Sequence, residues 1–299
     1  MRRLSLPSLV LSSILLASCV THTEARRPET IGATNVSSSS SLASKAKTLS
    51  SRKVRTLSSK SSTKSITAPA PMPANPPAEL TVPILVYHHI RATAGYPKET
   101  WSYKMSVSPS VFETQMQWLV DHGYTTVSLT TLAEMRAGTR LGPTKPIVVT
   151  FDDNQMSSYE LGVPVRVKNN QTATFYLITN RLENKDSIGS AQIPDLLAKG
   201  MEIGSHTVTH AILTDLSDSA LAAELRDSRT ALEAVTGTPV VHLAYPLTAQ
   251  NQRVRDATAA AGYVTATVMD PRNSTMQDSN FKLPRIMMTD DTDLARVLP

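Results

Sequence analysis

The chain has 299 residues, 40% hydrophobic and 18% charged, with one cysteine and a formal net charge of +5. That length allows one or two domains even if a third of it stays outside any core, and the lone Cys19 excludes an intramolecular disulfide framework and any multi-cysteine metal cage. The positive total suggests nucleic acid only until it is divided: residues 1–80 carry +8 and residues 81–299 carry −3. The basic character belongs to an N-terminal arm, and the remainder is mildly acidic.

Arg2 and Arg3 precede an apolar run over residues 4–17 that leads into Leu16-Ala-Ser-Cys19. A charged start, a short apolar run and a small-residue exit predict a secretory signal over residues 1–18, and the run is shorter than the roughly 20 residues a membrane span requires. Leu-Ala-Ser-Cys resembles the bacterial lipobox, which implies that Cys19 is the lipidation site. The alternative is an ordinary cleaved signal with an incidental cysteine. Val20 rather than an acidic residue follows the cysteine, which by resemblance to Gram-negative lipoproteins implies the outer membrane, so the expected location is the envelope of a Gram-negative bacterium, lipid-anchored and facing the periplasm.

Residues 19–80 are rich in Ser, Lys and Pro and lack hydrophobic periodicity. Such a composition buries too little apolar surface to offset ordering entropy, which predicts a disordered tether. Electrostatic adhesion to acidic envelope polymers is the functional variant of that reading. From Cys19 to Leu80 there is no Phe, Tyr or Trp, so the stacking that single-stranded nucleic acid requires is missing and no nucleic-acid partner is expected.

From residue 81 the pattern changes. Ile84-Leu-Val-Tyr-His-His-Ile90 reads as a buried strand, Ser108-Pro109 as the start of a helix running to Gly123, and residues 124–129 as a short strand. A capping box, Thr131-Leu-Ala-Glu134, opens a helix that stops near Gly138. Strands follow at residues 147–153 and 172–178, a helix at 193–199, a strand at 201–205 and a long helix at 217–235 closed by Gly237. A strand at 240–245, a helix at 251–261 and strands at 263–269 and 283–288 complete the body. Strand–helix alternation implies a parallel sheet, and about seven units favour a barrel. In such barrels the chemistry lies at the carboxyl ends of the strands, so Asp152, Asp153, His206 and Tyr245 should face one another.

Two clusters stand at predicted strand ends: Thr150-Phe-Asp152-Asp153-Asn154 and Ser205-His206-Thr-Val-Thr-His210. Histidines four apart present both rings to one point if the backbone between them is helical, and a carboxylate would complete a three-ligand site. Histidine and carboxylate suit a borderline divalent ion, zinc first, with cobalt or nickel also suitable. The second aspartate is then free to act as a general base.

These motifs resemble those of the polysaccharide deacetylases, the NodB-homology or family 4 carbohydrate esterases. Thr150-Phe-Asp-Asp153 resembles their T-F-D-D-G motif and His206-Thr-Val-Thr-His210 their H-[ST]-x-x-H motif. Val82-Pro-Ile-Leu-Val-Tyr-His-His89, Leu243-Ala-Tyr-Pro246 and Leu283-Pro-Arg-Ile286 resemble the branch that contains the biofilm poly-N-acetylglucosamine deacetylases. The resemblance implies a distorted (β/α)7-type barrel over residues 81–299. It implies that Asp153, His206 and His210 bind a metal, that Asp152 is the base, and that a backbone N–H near Tyr245, Pro246 and Leu247 holds the oxyanion. The expected reaction is hydrolysis of N-acetyl groups from an N-acetylhexosamine polymer such as poly-N-acetylglucosamine, peptidoglycan or chitin, by a monomer.

The sequence departs from that family in four places. No histidine follows His242, so the proton donor falls to His88 or, second, His89. Ala244 replaces the arginine of R-x-P-Y, which leaves Arg285 to orient Asp152. Asn154 replaces glycine, and Leu247 replaces the usual aromatic. The alternative activity is that of a weak or inactive homologue that binds glycan without turnover.

Overall fold

The computed structural model describes residues 80–299. The signal segment, Cys19 and the tether lie outside the described residues. Seven parallel strands form the wall of the barrel: β1 Ile84–Tyr87, β2 Pro146–Phe151, β3 Thr174–Leu177, β4 Glu202–Ser205, β5 His242–Ala244, β6 Thr265–Met269 and β7 Leu283–Met287. Each pairs with its sequence neighbour, and β1 pairs with both β7 and β2, which closes the ring. The short strand Thr125–Thr126 adds to the outside of β2.

Period-two alternation sorts each strand into a lumen face and a helix face. Ile84, Val148, Tyr176, Ala244 and Leu283, from five different strands, form one cluster that fills the lumen. Their neighbours Leu85, Val149, Phe175 and Ile286 pack outward, while Leu243 joins a separate outer cluster with helix residues. Counting in twos from Val148 reaches Thr150 and Asp152, and from Leu283 reaches Arg285. The polar pair therefore belongs to the lumen face, at the carboxyl end.

The covering helices are α1 Pro109–Asp121, α2 Leu129–Arg136, α3 Val163–Lys168, α4 Ile193–Ala198, α5 Asp218–Thr236 and α6 Gln252–Ala260. In α5 the buried residues Leu221, Leu225, Ser228 and Leu232 follow helical spacing, Ser217 caps the start and Gly237 ends it in the left-handed conformation at φ 66°, as its sequence predicts.

Two local expectations fail. The start of α2 is capped by Ser128, whose hydroxyl accepts from Thr131 N at 3.0 Å, so Thr131 lies inside the first turn. Glu202 from β4 takes the first amides of that helix, Leu129 N at 2.9 Å and Thr130 N at 3.1 Å, a long-range cap no local motif reveals. The helix between β2 and β3 is not foreseen either. It opens with a π-helical turn, Ser158–Gly162, and continues as α3. Gly162-Val-Pro164 reads as a break, but proline is tolerated in a first turn.

Candidate active site

The carboxyl ends of the strands surround a cavity of about 80 Å³ whose lining includes His88, Asp152, Asp153, His206, His210 and Arg285. β2 supplies the first two carboxylates. Asp152 continues the lumen face and is buried. Asp153 and Asn154 then adopt left-handed conformations, φ 71° and 56°, and this turn brings Asp153 to the same cavity. Asn154 does more than tolerate the glycine position. Its Oδ1 accepts from Ile178 N at 2.6 Å and its Nδ2 donates to Ile188 O at 2.8 Å, tying the turn to the end of β3 and to the following loop.

Arg285 from β7 donates to both oxygens of Asp152, Nη1–Oδ1 at 2.8 Å and Nη2–Oδ2 at 2.7 Å, and to Thr150 Oγ1 at 3.0 Å. Burial alone would raise the Asp152 carboxyl. The Arg285 guanidinium and the neighbouring histidines outweigh it and hold the group well below the usual carboxylate range. The cation expected to orient Asp152 is thus in place, and Ala244, where the family's arginine would stand, faces the lumen.

His206 leaves β4 and donates its Nδ1–H to the Ala244 carbonyl at 2.8 Å, which turns the Nε2 lone pair into the cavity. His206 and His210 are not on a helix. Residues 206–210 form a bend with Thr207 and His210 in left-handed conformations, φ 67° and 63°, and this bend rather than helical periodicity converges the rings. Glu224 of α5 pins it by accepting from Val208 N at 2.8 Å, Thr209 N at 3.0 Å and Thr209 Oγ1 at 2.6 Å.

Asp153, His206 and His210 each offer one ligand atom, all within 4.8 Å of one another. Both imidazole Nε2 atoms stand 3.5 Å from Asp153 Oδ1, and that oxygen is buried with no hydrogen-bond partner. A buried carboxylate oxygen aimed between two imidazoles fits a small divalent cation. Zinc, cobalt and nickel are all compatible with one oxygen and two nitrogen donors.

The remaining predicted residues separate cleanly. His88 lines the cavity, and burial lowers its pKa against the opposing pull of Asp152 and Asp153. His89 does not line it, and burial followed by the charge of Arg91 takes it down to about 4. His242 is buried away from the site between Thr265 Oγ1 at 2.7 Å and Thr130 Oγ1 at 3.0 Å. His122 is exposed and bonded to the Trp118 carbonyl. Within Tyr245-Pro246-Leu247, Tyr245 N–H is consumed by Thr267 O at 3.2 Å in the barrel ladder and Pro246 has no N–H. Leu247, at φ 51° and with its side chain at the cavity mouth, holds the one N–H of the three left free among the described residues.

Sequence reasoning did not find Trp101, Met105 or Met269, which also line the cavity, nor the clamp from Glu224. Met269 closes β6 and was open to the same strand-end argument that selected Asp152. Trp101 sits in a connecting segment without periodicity, and Glu224 is one of many exposed-type residues on a long helix.

The sequence matches the family described as polysaccharide deacetylase over residues 140–266, a stretch that contains both aspartates, both histidines and Leu247. Residues 140–266 therefore carry a polysaccharide deacetylase domain match. A solved polysaccharide deacetylase from Bacillus cereus is 28% identical and superposes with a TM-score of 0.64, covering 73% of this chain and 68% of that one. The poly-β-1,6-N-acetyl-D-glucosamine N-deacetylase of Staphylococcus aureus is 25% identical over 65% of this chain and 71% of its own. The deacetylase PplD of Streptococcus pyogenes, solved in complex with acetate, is 22% identical, covers 74% of this chain and 99% of its own, and has a TM-score of 0.70. That last likeness establishes the fold, and the fold places the two motif clusters of this chain on one end of the barrel.

Proposed function

We propose that the chain is a metal-dependent hydrolase that removes N-acetyl groups from an N-acetylhexosamine polymer, releasing acetate and leaving a free amine. The observation that carries this reading is the juxtaposition in one small cavity of an Asp–His–His set, whose carboxylate oxygen is unpartnered, with a second aspartate held ionised by Arg285.

Asp153, His206 and His210 would hold the cation. When bound, such an ion polarises a carbonyl and makes water more acidic. Asp152 takes the proton of the water that attacks the acetyl carbon, and Arg285 keeps its carboxylate anionic and fixed in orientation. The Leu247 N–H is placed to donate to the oxygen that gains charge as the carbonyl carbon becomes tetrahedral. As the C–N bond breaks, its electron pair stays on nitrogen, which must receive a proton. His88, which lines the same cavity, is the donor proposed for it, and the proton that Asp152 took from water restores the one His88 gives up. Acetate leaves from the cavity and the amine stays on the polymer.

An N-acetylglucosamine polymer is the substrate favoured by the Staphylococcus aureus relative, and Asn154 and Ala244, two departures from the family pattern, are each accommodated in the geometry above. The binding-only alternative gives no role to Asp152 beside a complete ligand set. The reading is tested by incubating the full chain with zinc, cobalt or nickel and measuring acetate release from β-1,6- and β-1,4-linked N-acetylglucosamine polymers and from peptidoglycan. Metal binding without acetate from any of them would favour the binding-only alternative. We also propose, from the lipobox resemblance, that Cys19 anchors the enzyme in the outer membrane. Palmitate labelling that is lost in Cys19→Ser tests the lipidation.

A further inference from the structure

Taking the hydrolase reading as its basis, we infer that Trp101 is a substrate-stacking residue that binds a pyranose ring of the polymer outside the acetyl cavity. The cavity, at about 80 Å³, is well below the roughly 300 Å³ at which ligand pockets begin. It accommodates an acetamido group, not a sugar ring, so the ring must lie at the mouth. Two large apolar side chains of the lining stand exposed there: Trp101 at 60% and Leu247 at 59%. Leu247 occupies the position where the family has an aromatic. An indole left more than half uncovered contributes little to the core, whereas the chain's other tryptophan, Trp118, is stacked on His122 with ring centroids 3.7 Å apart.

The segment carrying Trp101 is built to hold it still. His89–Ile90 pairs in parallel with Ser106–Val107, closing the base of the excursion. Thr100 caps the short helix Trp101–Lys104. The C-terminal acidic residues clasp the loop from outside: Asp291 accepts from Tyr103 Oη at 2.9 Å and Lys98 Nζ at 2.6 Å, and Asp290 accepts from Ser108 N at 2.6 Å. A pyranose with equatorial substituents presents a face made of C–H groups alone, and a rigid aromatic plane is the side chain that matches it at low entropic cost. The stacked ring belongs to an equatorially substituted hexosamine of the gluco type, and binding depends on polymer rather than on the acetyl group alone.

The chain has two tryptophans, so Trp118→Phe leaves Trp101 as the only indole. In the full-length Trp118→Phe, Asp152→Asn chain, which is expected to bind without turnover, the fluorescence of Trp101 should change saturably on titration with a β-1,6- or β-1,4-linked N-acetylglucosamine pentamer. A flat signal with both would overturn the inference. In the otherwise unaltered chain, Trp101→Ala should raise KM for the polymer about tenfold, a factor that corresponds to about 1.4 kcal/mol, with kcat changed far less, and Trp101→Phe should recover most of the loss. An unchanged KM in Trp101→Ala would overturn it. If Trp101 responds to the pentamers but no acetate is ever released, the hydrolase reading fails while the stacking assignment stands.

Discussion

Arg285 and Asp152 meet through two parallel hydrogen bonds across the lumen, although they are 133 residues apart and their strands β7 and β2 are separated by β1. Both are nearly inaccessible, with side chains 1% and 3% exposed. Breaking such a pair from one side leaves a buried charge uncompensated, at a cost of about 3–5 kcal/mol. Arg285→Met should therefore lower stability by about that amount, and Asp152→Asn added to it should recover part of the loss. Urea unfolding of the two single variants and the double variant measures this coupling. Strict additivity would contradict it.

The Asp153, His206 and His210 set predicts a metal-dependent increase in stability, because a ligand that binds only the folded state stabilises it. Zinc should raise the unfolding midpoint of the chain and a chelator should reverse the rise. His210→Ala should abolish the response in a thermal scan while the scan without metal stays within a few degrees of the parent.

Asn154 gives a prediction opposite to the family pattern. Glycine would adopt φ 56° more easily, but Asn154→Gly removes the bonds to Ile178 N and Ile188 O, two buried interactions each worth about 1 kcal/mol. The variant should be less stable than the parent by about 1–2 kcal/mol. A gain in stability would show that the backbone conformation outweighs the side-chain bonds.

Glu202 should make stability pH-dependent. Burial raises its pKa, but the bonds from His242, Thr130 and Thr174 outweigh this and take it down to about 2 from 4.5. A carboxyl with a depressed folded-state pKa contributes stability that is fully present above about 4.5 and is lost as pH falls towards 2. The stability difference between the parent and Glu202→Gln, about 3 kcal/mol by the same linkage, should be constant above pH 5 and shrink steadily below it. A difference independent of pH between 5 and 2 would remove the carboxylate from this role.

The fold was legible because each barrel strand is a short apolar run and most of the intervening helices keep their period. Gly237 and Ser217 mark the ends of α5 where the sequence places them. The helix after β2 was hidden because Gly162 and Pro164 imitate a break, and the cap by Glu202 because its two partners are more than 70 residues away. At the site, the aspartates and histidines were legible because their spacing is local. The bend that converges His206 and His210 was not legible, since one pattern of histidines four apart fits both a helical turn and a bend with left-handed residues. Trp101 was invisible because its placement depends on the clasp by Asp290 and Asp291 at the far end of the chain.

In the proposed mechanism Asp152 serves as the base beside a separate metal-binding set, and this division of roles decides between hydrolase and binding protein. It is tested most directly by measuring acetate release and zinc stoichiometry together in full-length Asp152→Asn. One zinc per chain is expected, as in the parent, with the rate of acetate release from N-acetylglucosamine polymer reduced by about 10²-fold or more. Zinc retained with acetate release within a few-fold of the parent would contradict it.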